Sequence, residues 1–425
     1  MKTRVVITGM GICAPNGINL ADYGKSLDRG ISGVRHIPEL EELKFGCQIA
    51  GFPLIEKDYI NNYFTSLQQR GLKASGIIYG VIAGKDAWLD AGLTIKEKTE
   101  EPDWESGIIF GTGILGVDKF REAIYLVDEG QVRRVGSTTV VQTMASGISA
   151  YLGGVLGCGN QVTTNSSACS TGTESILMAY DRIVQGKTKR VLVGSCSDSG
   201  PYVWGGFDAM RILPRKYNEK PEKASRPMSA SATGFVPASG AGAMVIESLE
   251  SARSRGAKIY AEVLGGSVNS GGQRKGGSLT APNSIAVQRC IRDAIRHSMI
   301  NPGEIDTING HLTATIKDPE EIRNWSRALG LKGRDFPIIN TFKSTLGHGL
   351  AAAGSMECVG VVLQLKQGKI FGNVNCEDLH PEIEMVISPD RIPSQTIDLA
   401  PKIAAKASFG FGDVNACVIF KAFND

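Results

Sequence analysis

One feature constrains this chain more than any other: short runs rich in Val and Ile alternate along its whole length with longer segments of helical periodicity. Residues 5–8, 107–110, 191–194, 243–247, 259–263, 305–309 and 416–421 have the length and β-branched content of buried or half-buried strands. Between them lie helical patterns at 76–92, 175–185 and 287–298. In the last, Val287, Cys290, Ile291, Ala294 and Ile295 form one apolar face. This alternation predicts an α/β fold with its sheets covered on both sides. Gly, Ser and Pro gather in the connections, most clearly at 265–282 and at 225–242, the latter expected to be an ordered crossover. A break near 250–257 suggests two halves, although the pattern alone does not prove duplication.

Composition removes several classes. A chain of 425 residues, 42% hydrophobic and 21% charged, can bury a large core and is not disordered. Its 46 basic and 43 acidic residues leave a net charge of +3, so no global field recruits nucleic acid; only a local basic patch remains open. No apolar run reaches the roughly 18 residues of a membrane span, and the stretch after His348 is broken by Glu357. Met1-Lys2-Thr3-Arg4 runs directly into Val5-Val6-Ile7, which predicts a first strand and not a secretory leader. The expected location is therefore cytoplasmic. Nine cysteines without a Cys-x-x-Cys pair then predict reduced thiols, with neither a disulfide framework nor a metal site.

Two glycine loops follow strands. Gly9-Met10-Gly11-Ile12-Cys13-Ala14 and Gly111-Thr112-Gly113-Ile114-Leu115-Gly116 fit the loose dinucleotide fingerprint. Pro15 stands where a helix should open, and neither loop is followed by a well-placed acidic residue. Both are therefore read as tight structural turns.

Cys169 is different. Val162-Thr163-Thr164 leads into Asn165-Ser166-Ser167-Ala168-Cys169-Ser170-Thr171-Gly172. A helix follows, with Ile176, Leu177, Ala179, Tyr180, Ile183 and Val184 at helical spacing. A cysteine at or just before a helix N-terminus is expected to have a lowered thiol pKa, and its small neighbours leave room for a substrate. The alternative is a buried structural cysteine. His311 and His348 lie in small-residue loops at strand ends, with Lys343 five positions before His348; His36, His297 and His380 read as ordinary polar residues.

These motifs together resemble the elongating β-ketoacyl-acyl-carrier-protein synthases, over nearly the whole chain and in order. They are Val5-Val6-Ile7-Thr8-Gly9-Met10-Gly11, Ala168-Cys169-Ser170-Thr171-Gly172, Ser225-Arg226-Pro227 with Gly234-Phe235-Val236, His311-x-Thr313-x-Thr315, Lys343-Ser344-x-x-Gly347-His348, and Ser408-Phe409-Gly410-Phe411-Gly412 with Asn415. The resemblance implies a thiolase fold of two similar halves in five αβαβα layers. Residues 1–250 would carry the nucleophile and 251–425 both histidines. It further implies a homodimer, with a heterodimer left open, and no cofactor beyond the phosphopantetheine arm of an acyl carrier protein.

Roles carried over by the resemblance are as follows. Cys169 takes the acyl chain. His311 and His348 bind the malonyl thioester and assist loss of CO2. Lys343 orients the site. The amides of Cys169 and Phe411 form a second oxyanion hole, and Phe411 gates the acyl pocket or is simply core. Thr313 and Thr315 hold the pantetheine arm or are ordinary strand residues. Asp318 and Glu321 are structural partners for Lys343 and the loop. Arg70, Lys73, Arg133, Arg134, Arg211 and Arg215 form a docking rim for an acidic carrier or are solvated surface.

The chain also departs from the family. Leu312 replaces a glycine and is expected to narrow the malonyl or pantetheine channel. Asp413-Val414 replaces Gly-Thr and is expected to stiffen the gate. Thr233, Ala238 and Ser239 stand where acidic residues and a glycine are usual. These departures point to a specialised pigment, polyene or unusual-lipid enzyme. The alternatives are a housekeeping fatty acid enzyme, a non-elongating partner subunit, a coenzyme-A-dependent thiolase or hydrolase, and a nucleotide oxidoreductase.

Overall fold

The computed structural model describes residues 3–424; Met1 and Lys2 of the expected leaderless start lie outside the described residues. The strands are β1 (Val5–Cys13), β2 (Val34–His36), β3 (Ile49–Gly51), β4 (Ser106–Thr112), β5 (Val162–Thr163), β6 (Arg190–Ser197) and β7 (Gly240–Ser248). They continue with β8 (Ala261–Ser270), β9 (Thr307–Asn309), β10 (Ile338–Asn340), β11 (Ile403–Gly410) and β12 (Val414–Ala422). β2 and β3 form a small ribbon; the other ten run in the order β10-β9-β11-β12-β8-β1-β7-β6-β4-β5.

That order repeats. β1-β7-β6-β4-β5 and β8-β12-β11-β9-β10 have the same sequence of connections, two antiparallel pairings followed by two parallel ones, and β1 and β8 join the halves antiparallel. Duplication, which residue pattern alone left open, is plain in the topology.

Five helices place the layers: α1 (Ser75–Asp90), α2 (Thr171–Val184), α3 (Ser284–His297), α4 (Asp318–Leu329) and α5 (Ala353–Gln367). α1 covers the outer face of the first half-sheet. α3, with α4 beside it, covers the second. α2 and α5 lie between, touching strands of both halves. This gives the five layers expected. A helix between two sheets has no solvent face, and α5 is accordingly buried from Ala353 to Leu365. The main core cluster runs through this middle layer, from Ile7 and Ile246 through Ile176 to Met356 and Val359.

The first glycine loop is not a turn. Gly9 and Gly11 lie inside β1, where a Cβ would come within 2.1 Å of the Ala87 carbonyl oxygen and 2.0 Å of that of Ala83. They are glycine because α1 lies directly against the strand. Gly111 and Thr112 likewise complete β4, and only the residues after them form the connection. Four strands escaped the sequence reading: β2, β3, β10 and β11. Three of them are only three residues long, and β11 is dominated by alanine and interrupted by Lys406.

Candidate active site

Cys169 sits in a single 3-10 turn, Ala168–Ser170, with α2 starting at Thr171. Ala168 adopts φ +49°, a left-handed conformation unusual for alanine. Thr171 Oγ1 holds it there, donating to the Ala168 carbonyl at 2.7 Å and accepting from the Ser167 amide at 2.9 Å. Ser170 Oγ reaches the carbonyls of Ser408 and Val414, both at 3.1 Å, so the nucleophile turn of the first half is tied to β11 and β12 of the second.

The expected low thiol pKa does not follow. Burial pushes Cys169 up; the Phe411 amide, the Lys343 charge and its own amide oppose this only in part. The reason is geometric: the thiol is buried in the seam, and the helix proper begins two residues later. The two amides that face the sulfur are nevertheless those of Phe411 and Cys169.

His311 follows β9 on a loop fastened by two buried acids. Glu321 accepts from the His311 and Leu312 amides, both at 2.7 Å. Asp318 accepts from Thr313 at 3.0 Å, Ala314 at 3.1 Å and Met228 at 2.9 Å. Burial raises Glu321 to about 7 and Asp318 to about 6, against the pull of those amides. Neither acid pairs with Lys343, contrary to expectation. The Lys343 ammonium meets Glu357 of α5, whose second oxygen meets Lys406 at 2.8 Å. Lys343 opens a short helix, Lys343–Leu346, packed inward against the middle layer, and so finds its partner there. Glu357 and Lys406 were missed, yet Lys406 is the lone charge of β11 and Glu357 the lone charge in the buried stretch of α5, and that is the signal that could have found them.

His348 is held through its backbone, donating to the Val236 carbonyl at 2.7 Å and accepting from the Ala238 amide at 2.9 Å. Its ring packs edge-on against Phe235 at 5.1 Å and against His311 at 5.3 Å. Burial, then the nearby lysines, hold both imidazoles well below their usual pKa, so both are neutral. His348 Nδ1 accepts from the Leu350 amide at 3.2 Å, which leaves the ring proton on Nε2. Ligand atoms of Cys169, His311 and His348 lie within 4.8 Å of one another. In this tautomer His348 offers an N–H from Nε2.

All three line one cavity of about 680 Å³. One wall is apolar, with Ile114, Val203, Phe207, Met210 and Ile212; the other carries Thr313 and Thr315, whose hydroxyls are 3.2 Å apart. Phe411, half-buried, stands in the lining with its ring 6.2 Å from that of Phe207. Arg70, Lys73, Arg133, Arg134, Arg211 and Arg215 are all exposed. Lys73 pairs with Glu122 at 3.1 Å and Arg215 lies 3.7 Å from Asp208.

Leu312 does not narrow the channel. It is fully buried in the second core cluster, with Ile322 and Trp325, and is absent from the cavity lining. Its φ of +22° turns the side chain of this loop residue into the core beneath. Leu312→Gly should destabilise the fold by about 2–4 kcal/mol, read from urea unfolding, and leave the KM for a malonyl carrier unchanged. A lowered KM would restore the channel reading.

Asp413 ties the loop after Phe411 to a neighbouring segment. Its buried carboxylate accepts from Asn283 at 2.7 Å and Gln273 at 2.9 Å, while Gly412 donates to the Leu279 carbonyl at 2.7 Å. The Phe411 loop is thereby tacked to residues 271–283. Asp413→Ala should speed amide hydrogen exchange about tenfold in both segments, from loss of roughly 1.5–3 kcal/mol of charged hydrogen bonding. Unchanged exchange would remove the latch. Ser239 is buried and donates to the Asp198 carbonyl at 2.7 Å, and the Thr233 hydroxyl is buried without a partner.

Comparison with known proteins gives the family. A model of the β-ketoacyl synthase N-terminal domain matches residues 2–252, and one of the C-terminal domain matches 260–377. The chain is 32% identical to 3-oxoacyl-[acyl-carrier-protein] synthase 2 of Vibrio harveyi, over 99% of each. It is 33% identical to 3-oxoacyl-[acyl-carrier-protein] synthase 1 of Haemophilus influenzae, again over 99% of each. Among solved structures, a β-ketoacyl synthase from Burkholderia phymatum superposes with a TM-score of 0.88 at 26% identity, covering 100% of both chains. The ishigamide ketosynthase/chain length factor gives the same TM-score, identity and coverage. With Cys, His and His gathered between the two halves of a thiolase fold, and matching family models over most of its length, the chain belongs to the β-ketoacyl synthases, a family of condensing acyltransferases.

Proposed function

We propose that the protein elongates acyl chains by decarboxylative condensation with malonyl-acyl carrier protein. The observation that carries this reading is the meeting of a buried cysteine with two neutral imidazoles within 4.8 Å in one cavity. Cys169 attacks an acyl thioester and becomes acylated, releasing the carrier thiol, with the amides of Cys169 and Phe411 receiving the carbonyl oxygen. A malonyl thioester then binds at His311 and His348. Loss of CO2 leaves an enolate, which attacks the acyl-Cys169 carbonyl and displaces the thiolate. Lys343 orients the site, and Thr313 and Thr315 receive the pantetheine arm.

The partner is an acidic acyl carrier protein, docking on Arg70, Lys73, Arg133, Arg134, Arg211 and Arg215; the carrier's phosphopantetheine arm is the sole prosthetic group required. Nine free cysteines suit a cytoplasmic site of action, and no helix among the described residues is long and apolar enough to cross a membrane. A specialised substrate now rests on Asp413-Val414, since Leu312 is core. A silent partner subunit is disfavoured because Cys169 is present and lines the cavity. The test is intact mass and CO2 release after incubation with acyl-carrier and malonyl-carrier. An acyl adduct on Cys169 and a product two carbons longer are expected; no thioester on Cys169 sinks the reading.

A further inference from the structure

Lys406 carries an ammonium group where strand packing ordinarily allows none. It is the fourth residue of β11, a strand buried from end to end, and has no exposed surface. An ion so placed costs several kcal/mol unless it is paired. Its Nζ lies 2.8 Å from Glu357 Oε2, donates to the Ala407 carbonyl, and reaches Ser408 Oγ at 3.3 Å. Glu357 Oε1 is already taken by Lys343. Two lysines thus share one carboxylate, one basic group more than acidic, and burial lowers the Lys343 pKa against the pull of Glu357. Register fixes where it lies. Lys406 is the parallel partner of Asn309, two residues before His311, and Lys343 opens the turn that leads to His348. The cluster sits at the roots of both histidine loops.

From this juxtaposition we infer that Lys406 is a positioning residue for decarboxylation, its ammonium adding positive charge behind the histidine pair. The inference rests on the ketosynthase reading above. In that step the bond between the malonyl Cα and its carboxylate breaks and CO2 leaves. The bonding pair moves between Cα and the thioester carbon, and the carbonyl pair moves onto oxygen. The substrate's single negative charge is conserved but relocates to the thioester oxygen, beside the histidines. No proton, oxidant or reductant enters. Neutral imidazoles offer that oxygen only N–H dipoles, and a Lys343–Glu357 pair alone would be neutral overall. The second lysine adds a fixed field that need not reorganise as the charge arrives.

The full-length protein is tested as Lys406→Met, which fills the space without charge, Lys406→Gln, which keeps a donor without charge, and Lys406→Ala, which leaves a hole. Acylation of Cys169 by an acyl carrier and CO2 release from a malonyl carrier are measured separately. CO2 release should fall about tenfold in all three, acylation should change less than about twofold, and ammonium chloride should restore CO2 release in Lys406→Ala but not in Lys406→Met. Equal loss of both half-reactions, or no rescue by ammonium, overturns the inference and leaves Lys406 as packing. If Met or Ala fails to fold, Lys406→Gln alone decides: unchanged CO2 release rejects the charge. Wild-type protein that releases no CO2 would instead sink the ketosynthase reading itself.

Discussion

Cys169→Ala should stop condensation entirely, a loss of at least about 10³-fold, while decarboxylation of a malonyl carrier continues. In the proposed mechanism the two half-reactions use different parts of one cavity. Acyl transfer needs the sulfur on its strained turn, held by Thr171 and Ser170. Decarboxylation needs N–H donors for the thioester oxygen, and His348 provides one because its Nδ1 is occupied by the Leu350 amide. The converse variant, His348→Ala, should leave Cys169 acylation nearly intact and cut CO2 release by about 10²–10³-fold, the cost of one oxyanion donor. Mass spectrometry of the acyl-enzyme together with a CO2 assay reads both. Loss of CO2 release in Cys169→Ala would mean that the imidazoles alone do not sustain decarboxylation and would sink the division of roles.

Glu357→Gln should have the largest effect on stability, about 3–5 kcal/mol, because it strands two buried ammonium groups at once. Lys343, Glu357 and Lys406 are each at most 1% exposed, so water cannot replace the lost partner. Removing one lysine as well should relieve the damage: the double variant Glu357→Gln with Lys406→Met should be more stable than Glu357→Gln alone. The cycle is closed by urea midpoints of the four proteins. Additive losses would show that the three charges do not act as a cluster.

The chemistry-bearing residues were legible because each stands in a distinctive local pattern. Cys169 follows a strand and precedes an amphipathic helix; His311 follows a strand, and His348 stands in a run of small residues before α5. Their environments were not legible. The Lys343 partner was sought seven and ten residues beyond His311, at Asp318 and Glu321, and was found in α5 at Glu357. Leu312 was placed in the channel because it neighbours His311; a single left-handed residue turned it into the core. Lys406 drew no notice, since one lysine in an alanine-rich run has no periodic signature.

What the sequence determined by itself was the class of fold and the candidate reacting residues, because strand–helix alternation and turn chemistry are properties of neighbours along the chain. The tertiary structure decided the pairing of the two halves, the charge state of the site and the direction in which Leu312 and Asp413 point. Those depend on burial and on partners that only folding brings together. Ser170 meets Ser408 where the two halves close on each other, and Lys406 meets Glu357 where β11 packs against α5 within the second half. There the cost of burying a charge is set by what faces it in the fold, not by what precedes it in the chain.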